Sequence, residues 1–192
     1  YILDTAKGAN QSSTNLQEVV TLAQPCWDFD TNSEGTQLFV SQCTPDQEGS
    51  GTVGIEPSTG GTLNTIFSSS TLAIASIRVV DPSNTNLMLV VSNTGSGVNG
   101  DLSKDGLWRV KTDGSNLTRL TANVAGEIST LNQFSQYFWS NFSRDNTMYA
   151  LQTTNPATNT YALLYGPLSG GTPTTFASIS GTVLEIAGWT NL

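Results

Sequence analysis

DGLWRVKTDGSNLTRL, Asp105 to Leu120, alternates apolar and polar residues through LWRVK, turns on Asp113-Gly114 and resumes as a second short strand. Strand, Asp-Gly, strand is the signature of a tight hairpin, because glycine accepts the positive φ that such turns require. The same hairpin is written twice more, as GTVGIEPSTGGTLNTIF from Gly51 and as TYALLYGPLSGGTPTTF from Thr160, with Gly60-Gly61 and Gly170-Gly171 at the turns. A different hairpin precedes each copy: CWDFDTNSEGTQLFVSQ from Cys26, IRVVDPSNTNLMLVVSN from Ile77 and YFWSNFSRDNTMYALQT from Tyr137. Each of these ends in a nearly unbroken apolar strand. Four strands therefore make one unit, and the unit recurs about every 50 to 60 residues, close to the spacing of propeller blades.

Repetition has a physical reason. A four-stranded twisted sheet that is apolar on both faces cannot cover itself, whereas sheets stacked around an axis cover one another. The run Leu87 to Val91 suits a strand buried on both sides. The expected fold is all-β, a β-propeller of four-stranded antiparallel blades. Blades are expected at about 22–68, 74–121 and 133–177, with partial blades at 1–21 and 181–192. Two arrangements fit: an arc of a larger ring, or a small ring of four blades closed by the two ends. A jelly roll or sandwich would leave the repetition unexplained. The chain opens on Tyr1, which reads as a processed protein or an excised piece.

At LWRVKTDGSNLTRLT and YFWSNFSRDNTMYALQT the sequence resembles the TolB-like β-propeller repeats, relatives in architecture of the WD repeats. The unit around Cys26 departs further from that pattern, and Val79 and Val80 stand where a tryptophan is expected. The resemblance implies a propeller and says little of function, because such propellers serve as peptidase gates, periplasmic interaction partners, lyases and surface modules.

Composition narrows the possibilities. Charged residues are only 11% of the 192, net charge is −8, and Lys7, Arg78, Lys104, Arg109, Lys111, Arg119 and Arg144 are scattered. Nucleic-acid and anionic-membrane partners lack their electrostatic footprint in such a chain. No apolar run approaches the roughly 20 residues that a membrane helix needs. Histidine is absent, which removes the commonest general base, and there is no Gly-x-Ser-x-Gly elbow, phosphate loop or Cys-x-x-Cys. The expectation is a chain that is not an enzyme and needs no cofactor.

In DFDTNSE, Asp28, Asp30, Asn32 and Glu34 alternate as at the start of a calcium loop, but Ser33 replaces the required glycine and no glutamate fills the twelfth place. A plain hairpin turn is the expected reading, and no metal site is assigned. Counting outward from the Glu34-Gly35 turn sets Cys26 opposite Cys43. For a non-hydrogen-bonded pair this means Cα atoms about 4.5 Å apart, at the short end of disulfide range. A disulfide is expected, and with it an oxidising compartment. Trp27, Trp139 and Trp189 are expected to pack between blades, and Trp108 to share a core face with Val110. Asn10, Asn116 and Asn141 fall in Asn-x-Ser/Thr triplets, which matter only where secreted proteins are glycosylated.

The long insertions TPDQEGSG, TGSGVNGDLSKDG and ANVAGEISTLNQ fall in connections that emerge at one end of the blades. Asp46, Glu48, Asp101, Asp105 and Glu127 are expected to gather there as a binding surface for a protein or a glycan, since recognition residues concentrate on loops held by a rigid scaffold. The functional expectation is a non-catalytic interaction module, extracellular or periplasmic. The alternatives are a structural subunit of a cell-surface layer or filament, self-associating through edge strands, and a gate domain of a larger peptidase.

Overall fold

The computed structural model describes residues 2–3, 16–21, 26–43, 50–80, 85–93, 101–124, 126–131, 141–184, 186 and 188–190. Strands β1 (Ile2–Leu3) and β2 (Leu16–Gln17) form a short pair. The first sheet is β3 (Cys26–Thr31), β4 (Gln37–Cys43), β5 (Gly51–Pro57) and β6 (Asn64–Ser69). The second is β7 (Ile74–Val79), β8 (Asn86–Val91), β9 (Gly106–Lys111) and β10 (Thr118–Ala122). The third is β11 (Ile128–Thr130), β12 (Met148–Asn155), β13 (Thr160–Pro167) and β14 (Thr174–Ser180). Every sheet runs in chain order and every pairing is antiparallel, so the three are copies of one four-stranded meander.

The repeat extends to single hydrogen bonds. In the first hairpins, Asn32, Val80 and Ser143 donate their N–H groups to the carbonyls of Gln37, Asn86 and Met148 at 3.1, 3.1 and 3.0 Å. In the second hairpins, Gly60, Gly114 and Gly170 donate to Pro57, Lys111 and Pro167 at 2.9, 2.8 and 3.0 Å. The turns expected from Glu34-Gly35, Asp113-Gly114 and the two Gly-Gly pairs therefore form where the sequence puts them. Asp113 and Asp145 tie their own turns, and the hydrogen bonds from Ser115 and from Ser143 and Thr147 hold these carboxyls below the ordinary carboxylate range.

The middle sheet shows why β8 is apolar throughout. Leu87, Leu89 and Val91 face the first sheet, in a core with Phe39, Val53, Ile74, Ile77 and Val110. Met88 and Val90 face the third sheet, in a core with Leu107, Leu120, Phe142, Tyr149 and Leu151. Alternate residues of one strand thus serve two interfaces, which is radial stacking. Trp108 packs beside Val110 on the first of these cores, as expected.

Two local expectations change. The first strand of the third sheet is split: β11 pairs with the far half of β12, while Phe142 pairs with Tyr149 near its start, so the strand begins upstream of 133. Trp27 does not pack between blades; it is 50% exposed and stacks on Phe29, itself 51% exposed, with ring centroids 5.9 Å apart. Trp139 lies outside the described residues.

Backbone pairing sets Cys26 opposite Cys43. The Asn32 to Gln37 bond marks that pair as hydrogen-bonded, and Cys26 and Cys43, an even number of residues away in unbroken register, share its phase. Such pairs have Cα atoms about 5.5 Å apart, which also lies within disulfide range.

Candidate functional site

Antiparallel order puts the turns β3–β4, β5–β6 and their counterparts at one end of the blades. The β4–β5 and β8–β9 connections and the inter-blade connections lie at the other. Asp46 and Glu48 fall in the β4–β5 connection, outside the described residues. The other three candidates are placed, and they differ sharply in role.

Asp105 is 3% exposed and is a structural residue. Its Oδ1 accepts the Asn93 N–H at 2.7 Å, and its carbonyl accepts the Asn123 N–H at 3.2 Å and the Arg119 guanidinium. Asn93, also buried, completes the junction: its Nδ2 donates to the Asp101 carbonyl at 2.9 Å and its Oδ1 accepts the Ala73 N–H at 3.3 Å. Four segments are locked together here: the β6–β7 connection, the end of β8, the β8–β9 connection and the exit from β10. Arg119 also lies over the Trp108 ring, 5.5 Å from its centroid, and Trp108 Nε1 donates to the Lys104 carbonyl at 2.9 Å. A buried Asp105 takes no part in the outer surface, so the acidic surface foreseen at this position is not formed by it.

Asp101 does reach solvent. It caps the 3-10 turn Leu102–Lys104, its Oδ1 accepting the Ser103 N–H at 3.0 Å and the Ser103 hydroxyl at 2.5 Å. Those two bonds hold its carboxyl below the ordinary range. Glu127 is half-buried and closes a turn, with Oε2 accepting the Val124 N–H at 3.1 Å while Asn123 Nδ2 donates to its carbonyl at 3.0 Å. On the β8–β9 connection and the exit from β10 the chain exposes two apolar side chains that sequence reading did not single out, Leu102 and Val124. Both sit on connections that the Asn93–Asp105 junction holds in place.

Asp28 and Asp30, the residues of the calcium-like run, do something else. Asp28 Oδ2 accepts the Ile77 N–H at 3.0 Å and pairs with Arg78 at 2.8 Å. Asp30 Oδ2 accepts the Val79 N–H at 2.8 Å. Strand β7 is an edge, and its N–H groups at 77 and 79 point away from β8; the carboxylates of β3 satisfy them across the seam. Burial raises the Asp30 carboxyl above its ordinary value, with the bonds from Val79 and Thr31 pulling the other way. Asn32 turns inward, its Oδ1 accepting the Thr36 and Gln37 N–H groups at 2.7 and 2.9 Å. The alternating oxygens therefore serve a blade seam and a turn. Among the described residues no group of three or more carboxylates and thiols is gathered to hold a metal ion.

The seam between the second and third sheets opens at two grooves. One, of about 450 Å³, runs between β10 and the outer strands of the third sheet and is lined by Asn123, Glu127, Ser129, Thr153 and Thr175 among others. The other, of about 350 Å³, lies at the turn end beside Arg109, whose guanidinium donates to the Leu168 carbonyl at 2.5 Å. Among the described residues no helix is long and apolar enough to cross a membrane.

No protein-family model and no curated sequence matches the chain. Solved structures do. An oligogalacturonate lyase in complex with manganese aligns over 80% of this chain and 41% of its own, at 11% identity and a TM-score of 0.54. A chain of a nidogen/laminin complex aligns over 81% of this chain and 49% of its own, at 12% identity and a TM-score of 0.53. A TolB-type protein of Agrobacterium tumefaciens aligns over 80% of this chain and 65% of its own, at 14% identity and a TM-score of 0.41, too low to carry an argument. This chain thus spans less than half the length of the first two. The lyase corrects one expectation. A chain without histidine or a familiar motif was expected to lie outside enzymes, yet the fold it shares is one that an enzyme uses, so the missing motifs do not make it non-catalytic. The comparisons establish the fold, a run of β-propeller blades, and they leave the family within that architecture open.

Proposed function

We propose that the chain is an interaction segment of a β-propeller that engages a protein through the loop end of its blades, in an extracellular or periplasmic setting. Leu102 and Val124 supply the apolar contact, with Asp101 and Glu127 as its acidic rim. The observation that carries this reading is the Asn93–Asp105 junction: four hydrogen bonds, two of them fully buried, fix the connections that hold two exposed apolar side chains. Exposed side chains on connections that are already fixed lose less conformational freedom when a partner docks on them. The nidogen/laminin neighbour, a fold of this kind in a complex between proteins, accords with it.

The test is to capture binding proteins from the source's own secreted and envelope fractions on the wild-type chain and on the Leu102→Asp, Val124→Asp double variant. A partner whose binding falls about tenfold or more supports the reading, the size expected where an anchor worth about 1.4 kcal/mol is lost. Partners retained equally by both proteins contradict it. The oxidising setting carries its own expectation, a bond between Cys26 and Cys43, whose strands are in register. Alkylation without reduction should leave the mass unchanged; two added alkyl groups would rule the bond out.

A further inference from the structure

The groove of about 450 Å³ between β10 and the third sheet is built from residues that strand register brings to one face. Ser129 stands opposite Thr153, Thr153 opposite Ala162, and Leu151 opposite Leu164. Directly paired residues share a face, and Leu151 fixes it as the one turned to the second sheet. The apolar floor is therefore Leu151, Leu164 and the short Ala162, with polar groups along its edge. Thr153 is only 4% exposed, yet its hydroxyl has no hydrogen-bond partner among the described residues and opens into the groove. A hydroxyl shielded to this degree costs stability unless something meets it. Ser129, also buried, donates its hydroxyl to Asn123 Oδ1 and keeps its oxygen free to accept. Glu127 receives the Val124 N–H on Oε2, which leaves Oε1 available. Among the described residues that line the groove there is no lysine, arginine or aromatic ring.

That chemistry selects its ligand. An anion would meet the Glu127 carboxylate and no cation, a sugar would find no ring to stack on, and a purely apolar group would leave the Thr153 hydroxyl buried and unpaired. Three acceptors beside an apolar floor suit an ammonium on a methylene stem, which carries three donors and lays its carbons along apolar surface. We propose that the groove takes a lysine side chain of the protein partner, its ammonium held by Glu127 Oε1 and the Thr153 and Ser129 hydroxyls and its stem lying on Leu151, Ala162 and Leu164. The net charge of −8 favours the approach of such a side chain. Val124, the exposed apolar residue of the loop end, lines the same groove, so the lysine enters beside it. The inference rests on the loop-end reading for the source of the lysine.

The probe is N-acetyl-lysine N-methylamide, titrated into the isotope-labelled chain and followed by residue-resolved amide shifts. Its norleucine analogue, which keeps the carbon stem and lacks the charge, is the control. Saturable shifts at Ser129, Thr153 and Ala162 are expected with the lysine probe and none with norleucine at the same concentration. Glu127→Gln keeps an oxygen for the Val124 N–H and should weaken lysine binding about tenfold, through loss of a charge-assisted contact. Ala162→Leu fills the floor and should abolish binding while the amide spectrum of the second sheet is retained. No saturable shift, equal shifts with norleucine, or binding indifferent to both variants would overturn the proposal. Its failure is separable from that of the loop-end reading. A partner lost on the Leu102→Asp, Val124→Asp variant but retained in full on Glu127→Gln contradicts the lysine groove alone. A lysine probe that fills the groove, with no protein captured, contradicts the loop-end reading alone.

Discussion

At the scale of the residue, Asp28 decides more than any other side chain. It satisfies the Ile77 N–H and the Arg78 guanidinium at once, on a seam where neither is well hydrated. Asp28→Ala should cost about 1.5–3 kcal/mol, the worth of hydrogen bonds to a charged group, read as a lower denaturation midpoint. Arg78→Ala made on top of it should cost little more. Glu56 is the opposite case. Its carboxylate is buried beside Leu38, its cross-strand partner, and neither oxygen has a hydrogen-bond partner; burial raises its pKa from the ordinary 4.5. The folded state then holds this proton more tightly than the unfolded chain. Its contribution is harmless below the ordinary carboxylate range and turns unfavourable as pH rises through the raised pKa. Glu56→Gln should therefore stabilise the protein at neutral pH by on the order of 1 kcal/mol and flatten the fall in stability over that range. An unchanged pH profile would show that the carboxylate is not shielded as described. The residue scale is also where sequence reading went astray. The spacing of Asp28, Asp30, Asn32 and Glu34 is genuine, but spacing along a strand says nothing of which neighbouring strand receives the side chains.

Among the elements, turns were legible and faces less so. Glu34-Gly35, Asp113-Gly114 and Gly170-Gly171 mark their hairpins because turn chemistry is local: the positive φ is a property of two or three residues. The unbroken Leu87–Val91 strand was legible for a related reason, since no half-exposed strand is written that way. The split first strand of the third sheet was not, because β11 is three residues long and pairs with residues of β12 more than twenty positions further along the chain. Gly114 shows what a repeat demands of one turn. It has φ of +81°, and a Cβ there would lie 1.9 Å from the Ile66 carbonyl oxygen on the neighbouring sheet. Gly114→Ala should cost about 1–2 kcal/mol for the left-handed backbone alone and more for the clash, lowering the melting temperature by at least about 2–4 °C. Gly35→Ala, where nothing lies within 4 Å of the added carbon, should show only the backbone part.

For the whole molecule, the central claim is that separate small sheets stand side by side, each a lid for the next. Internal repetition made this legible before any coordinates, since no sandwich requires a chain to write one unit three times. What repetition does not supply is the chemistry at the seams, which depends on residues some fifty positions apart, or the purpose of the loop end, where Asp105 reads as a surface residue in the sequence and is a buried strut in the fold. Stacking makes one prediction that no other arrangement of these strands shares. The Ile77 and Val79 amides belong to an edge strand and point away from its only partner, so their protection comes entirely from Asp28 and Asp30 of the adjoining sheet. Residue-resolved hydrogen exchange tests this directly. The account predicts that both amides are protected in the wild-type chain and become fast in the Asp28→Ala, Asp30→Ala variant, while β12 amides keep their protection. Wild-type Ile77 and Val79 amides that exchange as fast as those of an open edge would contradict it.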